Sequence, residues 1–118
     1  METTEYNMLT QTPHIKVFDD IRNGINAEMY INHENESIRF RIAEQGIGLD
    51  TYVNDPSMVV RTAVARHGYG LDILINDPEW RVRCIVARHG YKVDVLINDD
   101  HYLVRQEAEL HYRKGKMI

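Results

Sequence analysis

The chain has 118 residues, of which 43 % are hydrophobic and 27 % are charged, and its formal net charge at pH 7 is -4. This size and balance predict one soluble globular domain, and the acidic balance argues against a protein that binds nucleic acid over its whole surface. No apolar run approaches the roughly 20 residues of a membrane-spanning helix, and the polar start METTEYNMLTQTP does not resemble a signal peptide. The single cysteine excludes an internal disulfide. We therefore expect a cytoplasmic protein.

A repeat of 22 residues organises most of the chain. The stretch NDPSMVVRTAVARHG at 54–68 is followed by NDPEWRVRCIVARHG at 76–90. The same step preserves columns of arginine, asparagine and glycine, which are Arg39, Arg61, Arg83 and Arg105; Asn32, Asn54, Asn76 and Asn98; and Gly24, Gly46, Gly68 and Gly90. The columns predict a helical repeat domain of about four units over 25–112. Residues 1–24 are then an N-terminal cap or degenerate repeat, and 113–118 a basic C-terminal tail.

Each unit begins with signals for a longer α-helix. Asp77 is the predicted N-cap and Pro78 the first helical residue. The helix is expected to reach about His89. Gly90 then ends it in a left-handed conformation, with Tyr91 folding back as in a Schellman motif.

A much shorter helix follows in each unit. The segment GLDILIND predicts about one turn, similar to a 3₁₀ helix, with Asp72 as its cap. Leu71, Leu74 and Ile75 provide its apolar contacts. Long and short helices that alternate in this way predict an all-α fold, a right-handed α-solenoid of 22-residue units.

The pattern D-P-x-x-x-V-R-x-x-V-A-R-H, followed by L-x-x-L-I, resembles the units of leucine-rich repeat variant proteins and the second helix of HEAT repeats. The resemblance covers roughly 25–112 and is most specific at 55–68 and 77–90. It is weaker at 33–46, which lacks Asp-Pro, and in the last unit, which has Tyr112 where the others have glycine. The resemblance implies alternating α and 3₁₀ helices. The cysteine-rich segment of the iron–sulfur member of the family has no counterpart here.

Helical spacing separates a core face from an outer face. Val82, Ile85, Val86 and His89 follow the spacing i, i+3, i+4, i+7, which predicts the face that packs on neighbouring units. Trp80 begins the opposite face, and we assign Cys84 and Ala87 to that outer face as well.

The arginine column has two interpretations. As a row of repeated cations, Arg39, Arg61, Arg83 and Arg105 could bind phosphate. In HEAT-like repeats, however, the matching aspartate and arginine bond between neighbouring repeats. The resemblance therefore implies a structural ladder between units, in which this arginine column pairs with Asp55, Asp77 and Asp99.

The sequence carries no recognisable catalytic or metal-binding constellation. His67, His89 and His111 fall on different units, and helix axes about 8–10 Å apart are too distant for one zinc ion to bind two of them. Cys84 has no second cysteine and no base placed against it. The aspartates that recur as Asp50, Asp72 and Asp94 are interpreted as caps. We predict no enzyme, no metal and no cofactor.

The outer face predicts a surface for a partner. The strict repeat aligns one large apolar residue from each unit, and arginines lie beside them. The predicted partner-binding residues are Phe40, Met58, Trp80, Tyr102, Arg66, Arg81 and Arg88. Aromatic residues and arginine are the types enriched at binding hot spots.

These observations favour a non-enzymatic protein–protein interaction module. It would be a small repeat scaffold that acts as an adaptor or an inhibitor, for instance a phage or mobile-element protein that blocks a host enzyme. One alternative is a HEAT-like solenoid that binds nucleic acid. Its candidate residues are Arg41, Arg66, Arg81, Arg88 and Lys92, with Arg113, Lys114 and Lys116 of the tail. The other alternative is a structural protein that self-associates, for example as a homodimer.

Overall fold

A computed structural model describes residues 13–116, and the side chains of 16–115. Across 13–116 every regular element is a helix and no β-strand is present. The predicted all-α class is therefore confirmed for this part of the chain. Of the predicted N-terminal cap or degenerate repeat and the basic tail, residues 1–12 and 117–118 lie outside the described residues.

Longer and shorter helices alternate along the described chain. The longer ones are α1 (Pro13–Arg22), α2 (Glu36–Glu44), α4 (Met58–Arg66), α6 (Trp80–Arg88) and α8 (Tyr102–Lys116). The shorter ones are the 3₁₀ helix η1 (Ala27–Tyr30) and the α-helices α3 (Leu49–Tyr52), α5 (Leu71–Leu74) and α7 (Val93–Leu96). The last long helix extends past 112, so 113–116 continue α8.

The long helices begin later than predicted. Asp77 is not the N-cap of α6 and Pro78 is not its first residue, because the helix starts at Trp80 with Glu79 as its cap. The Asp77 carboxylate instead accepts a hydrogen bond from the Glu79 N–H at 2.9 Å, which forms a turn before the helix. In α4 the cap is Ser57, whose hydroxyl accepts from the N–H two residues on.

Each long helix before the last one is followed by a left-handed glycine, as predicted. Gly68 and Gly90 have φ values of 71° and 74°, which confirms their left-handed conformation. After α4, the N–H of Gly68 donates to Ala65 O at 2.8 Å and the N–H of Tyr69 donates to Val64 O at 3.3 Å. This pair of bonds is a Schellman motif, and it satisfies carbonyls that the helix end leaves open.

The short helices differ from the prediction in two respects. Only Ala27–Tyr30 is a 3₁₀ helix, whereas the other three are single α-helical turns. In Leu71–Leu74, for example, the N–H of Leu74 donates to Gly70 O at 2.9 Å. Asp72 does not cap this helix. It is exposed inside the first turn, and Gly70, with φ of 63°, occupies the cap position without a side-chain bond.

Each long helix packs against the next long helix in the chain. The core fills the space between them and the short helices, and the ten largest fully buried side chains are Tyr52, Ile21, Ile38, Ile42, Leu74, Val60, Val64, Val82, Val86 and Val104. None of the described helices is both long enough and apolar enough to cross a membrane.

Two assignments of helix faces are corrected by the packing. Cys84 and Ala87 are buried, whereas helical spacing predicts them on the outer face, and Ala65 at the matching position of the preceding unit is also buried. A long helix between two others is covered on both flanks, so only a narrow strip stays accessible. His89, assigned to the core, is exposed, because it caps the end of α6 beyond the packed turns.

Gly70 provides a test of the close packing between units. An added Cβ would lie 2.6 Å from Val53 Cγ2, whereas at Gly24, which has a similar φ of 71°, nothing lies within 4 Å. We expect Gly24→Ala to lower the free energy of unfolding by about 1–2 kcal/mol through its backbone alone. Gly70→Ala should lose about 1–3 kcal/mol more because of overpacking. Urea unfolding followed by circular dichroism measures both, and equal losses would contradict the packing described.

Candidate functional site

Arginine and aspartate side chains form a ladder along the start of the long helices. Arg61 donates from Nε to Asp77 Oδ2 at 2.7 Å and from Nη2 to Asp77 Oδ1 at 3.2 Å. Its remaining Nη1 donates to the backbone oxygen of Asp55 at 2.7 Å. One guanidinium thus bridges the aspartates of its own unit and of the next, in the planar two-point geometry that favours arginine.

The same bridge recurs on either side. Arg39 binds Asp55 and Arg83 binds Asp99, each with an Nε–Oδ2 distance of 2.8 Å. The side chains of all three pairs are largely buried, with 15 % exposure or less. Arg105, the last arginine of the column, donates to the backbone oxygens of Asp99 and Asp100. Aspartate and arginine therefore form a continuous hydrogen-bonded row across the units.

The ladder changes the pKa of its members. The hydrogen bonds that Arg39 and Arg83 donate to Asp55 and Asp99 raise the pKa of both arginines above the ordinary arginine value, against the opposing effect of burial. Burial by itself would raise the pKa of Asp99. The hydrogen bonds from Arg83 and from the His101 N–H outweigh that effect, so the pKa of Asp99 lies below its ordinary value. The charged forms of both partners are stabilised.

The histidine column holds the opposite ends of the long helices together. The His67 Nε2 lies 2.7 Å from Glu44 O, at the end of the preceding long helix. The ring of His67 also covers Gly46, where an added Cβ would lie 3.3 Å from Cε1. His89 lies over Gly68, and His111 over Gly90, in the same way. These histidines pack units together, and no cluster of three metal-ligating side chains occurs among the described residues.

The contacts of the ladder and of the histidine column show how successive long helices are oriented relative to each other. Arg39 near the start of α2 meets Asp55 just before α4, and Gly46 after α2 meets His67 at the end of α4. Starts are therefore adjacent to starts and ends to ends, so successive long helices run in the same direction.

The accessible strip of these parallel helices forms an open groove of about 570 Å³, which we call the long-helix groove. Its apolar part is formed by Phe40, Met58, Trp80, Ile85 and Leu103. Its polar and charged lining includes Thr62, Gln106, Glu107, Arg66, Arg81 and Arg88. The volume falls within the range of roughly 300–1,000 Å³ typical of ligand sites.

Trp80 lies at the centre of a stack of planar groups. The His101 ring is parallel to it at a centroid distance of 4.1 Å, and Tyr102 lies 5.1 Å beyond His101. The Arg81 guanidinium carbon is 4.6 Å from the centre of the Trp80 ring. The His101 Nδ1 accepts a hydrogen bond from the Leu103 N–H at 3.1 Å. The indole is thereby held in one orientation at the edge of the groove.

The groove carries three arginines with different electrostatic partners. Arg88 pairs with Glu107 at 3.2 Å, and Arg81 is 4.0 Å from Glu79, the upper limit of an ion pair. Arg66 is exposed and has no carboxylate partner within the described residues. Arg66 therefore presents charge that is available to a ligand, while Arg81 and Arg88 each lie beside one carboxylate and remain more than half exposed.

Six of the seven predicted partner-binding residues line this one groove: Phe40, Met58, Trp80, Arg66, Arg81 and Arg88. Tyr102 does not line it and is 62 % exposed on α8. Phe40, Met58 and Trp80 are only half exposed, because each also packs against the core.

The prediction missed the contributions of α8. Leu103, Gln106 and Glu107 line the groove, and His101 supports Trp80. The 22-residue step places Leu103 and Glu107 at the positions of Arg81 and Ile85, so the repeat could have predicted that they line the groove. They were missed because the residue types at these positions change in the last unit.

Cys84 lies beneath the groove and is 4 % exposed. Burial raises the pKa of its thiol above the ordinary value, which keeps it protonated at neutral pH. A buried, protonated thiol is a poor nucleophile. At this position the groove therefore offers a ligand an apolar surface to contact.

Comparison of the chain with protein-family models, with curated proteins and with solved structures gives no match.

The ladder predicts a specific acid sensitivity. Asp99→Asn should cost about 2 kcal/mol at neutral pH, because it replaces charge-assisted hydrogen bonds with neutral ones. The lowered pKa of Asp99 means that its ionised form stabilises the fold above the ordinary carboxyl pKa of about 3.9. This contribution is lost as the pH falls through the lowered pKa.

The difference in unfolding free energy between wild type and Asp99→Asn should therefore shrink between about pH 7 and about pH 3. Urea titrations across this range measure it. A difference that stays constant over the range would show that the Asp99 charge does not stabilise the fold.

Proposed function

We propose that the chain is a right-handed solenoid of four units related to leucine-rich repeat variant and HEAT repeats. The support is the agreement between the 22-residue step of the sequence and the recurrence of three contacts. These are the arginine–aspartate bridge, the histidine on glycine, and the left-handed glycine that follows each long helix except the last. Each unit buries its apolar face only against its neighbours, as in other repeat proteins.

The function that this architecture supports best is a non-enzymatic protein–protein interaction module, a small scaffold that acts as an adaptor or an inhibitor. The observation that carries this proposal is the long-helix groove. On one concave surface, it brings together a tryptophan, two other large apolar residues and an arginine. These residues are Trp80, Met58, Leu103 and Arg66. Buried aromatic anchors ringed by polar residues dominate the energy of protein interfaces.

Rigidity of the groove adds to this support. Its residues lie on helices instead of loops, and stacking on His101 restrains the Trp80 ring. A surface that is already ordered loses little side-chain entropy when a partner binds. Phage or mobile-element inhibitors of host enzymes would be one biological setting for such a compact binder.

Nucleic-acid binding receives less support from the same geometry. Phosphate contacts need free arginine donors, but of the predicted nucleic-acid candidates Arg81 and Arg88 lie beside carboxylates, at 4.0 and 3.2 Å. In the arginine column, Arg39, Arg61 and Arg83 donate from all three side-chain nitrogens to aspartate carboxylates and backbone oxygens. The aspartates that pair with them also repel phosphate. A protein partner is therefore the better fit.

A steric block of the groove tests the proposal. Thr62 lines the groove, and Thr62→Phe adds a large side chain there without changing charge. Peptides from a random library that wild-type protein retains should bind Thr62→Phe at least about tenfold more weakly, a loss of about 1.4 kcal/mol. Binding is measured by titration of each peptide, and Gln106→Phe blocks the groove independently from α8.

Thr51→Phe is the matched control, because Thr51 is exposed on the short helix α3, away from the groove. It should leave affinity unaltered. Circular dichroism of each variant establishes that it is folded. The proposal would be overturned if the peptides bound both groove variants as tightly as wild type. It would also be overturned if Thr51→Phe abolished binding and the groove variants did not.

A further inference from the structure

We infer that the long-helix groove recognises an acidic peptide segment whose apolar side chain enters the groove beside Trp80, with its carboxylates on Arg66 and Arg88. This inference rests on the proposed function and adds the chemistry of the partner. Three observations support it: the sign of charge around the groove, the separation of its apolar end from two of its arginines, and the occupied faces of the tryptophan.

The charge of the groove is opposite to that of the chain. The whole chain carries a formal charge of -4, yet among the described residues three arginines and only one carboxylate, Glu107, line the groove. Arg66 has no carboxylate partner in the described part of the chain. Arg88 pairs with Glu107, but 60 % of the Arg88 side chain remains exposed. Cations beside an apolar surface attract an acidic ligand, and steer its approach at low ionic strength.

Two of the three groove arginines lie at the opposite end of the groove from Met58 and Trp80, whereas Arg81 lies beside Trp80. Met58 and Trp80 are the first residues of α4 and α6, and Arg66 and Arg88 are the last residues of the same helices. Each of these two helices has nine residues, so its first and last residues lie about 12 Å apart along the helix axis. A suitable peptide therefore carries its apolar anchor and its carboxylates about 12 Å apart, as two helical turns or a short extended segment would.

Single-stranded nucleic acid also combines aromatic stacking with arginine contacts. Here the Trp80 ring is already covered by His101 at 4.1 Å and by Arg81 at 4.6 Å, so a base would have to displace one of them. Phe40, the other aromatic ring of the groove, is half-buried against the core, and the lining also includes the non-aromatic side chains of Met58 and Leu103. Aliphatic and sulfur-containing side chains suit an apolar peptide anchor instead.

Charge reversal at Arg66 is the decisive variant, and the repeat provides its matched control. Arg22 occupies the same column two units earlier, also in the last turn of a long helix, and it lies outside the groove. Arg66→Glu and Arg22→Glu therefore make the same change in charge at equivalent helix positions. Trp80 is the only tryptophan of the chain, so its fluorescence reports binding at the groove directly.

The probes are the peptides retained from the random library, each paired with a twin in which every Asp and Glu is replaced by Asn or Gln. We expect retained peptides to be richer in acidic residues than the library. Replacing the acids, or changing Arg66→Glu, should weaken binding about tenfold, and added salt should weaken it further. Arg22→Glu should bind as wild type does.

The other outcomes separate this inference from the proposed function. Peptides that Thr62→Phe rejects, but that show no acidic preference and bind Arg66→Glu normally, would overturn the inference and leave the interaction module intact. Failure of every peptide to depend on the groove would overturn both. An oligonucleotide that quenches Trp80 fluorescence and displaces the peptides at lower concentration would overturn the inference in favour of nucleic acid.

Discussion

The bridge that Arg61 and Arg83 each form between two aspartates is the interaction on which the arrangement of the long helices depends. Arg61 and Arg83 each bind a carboxylate of the following unit and a backbone oxygen of their own. Because a guanidinium is planar and its donors point in fixed directions, this contact sets distance and orientation together. Replacing such a pair by apolar residues need not reduce stability, so its main contribution is the register of neighbouring units.

The groove is a consequence of that register. Its residues come from four successive long helices, α2, α4, α6 and α8, and none of these helices alone presents a concave surface. Buried Ala65 and Ala87 allow the helices to approach closely, while Met58 and Trp80 project at their starts. The ladder lies beside these starts and thus controls the spacing of the apolar end, whereas His67 and its equivalents control the arginine end.

The sequence predicted the features that recur from repeat to repeat. It failed for several residues whose surroundings depend on packing between units. The glycines after the first four long helices were predicted correctly because a left-handed position strongly favours glycine. Asp77 was assigned as an N-cap because the cap preference is local, but its carboxylate is engaged by Arg61 from another unit. Cys84 and Ala87 were placed outside because helical periodicity describes one buried face and not two covered flanks. His101 could not be recognised as a support for Trp80, because that stack depends on the distance between helices.

The most direct test of this account is hydrogen exchange at the arginine Nε–H groups, measured by nuclear magnetic resonance. Arg61 and Arg83 donate these hydrogens to buried carboxylates at 2.7 and 2.8 Å, whereas Arg66 is exposed and unpaired within the described residues. The account predicts slow exchange at Arg61 and Arg83 and fast exchange at Arg66 in the same sample. Exchange that is equally fast at all three would show that the ladder does not hold the units in register.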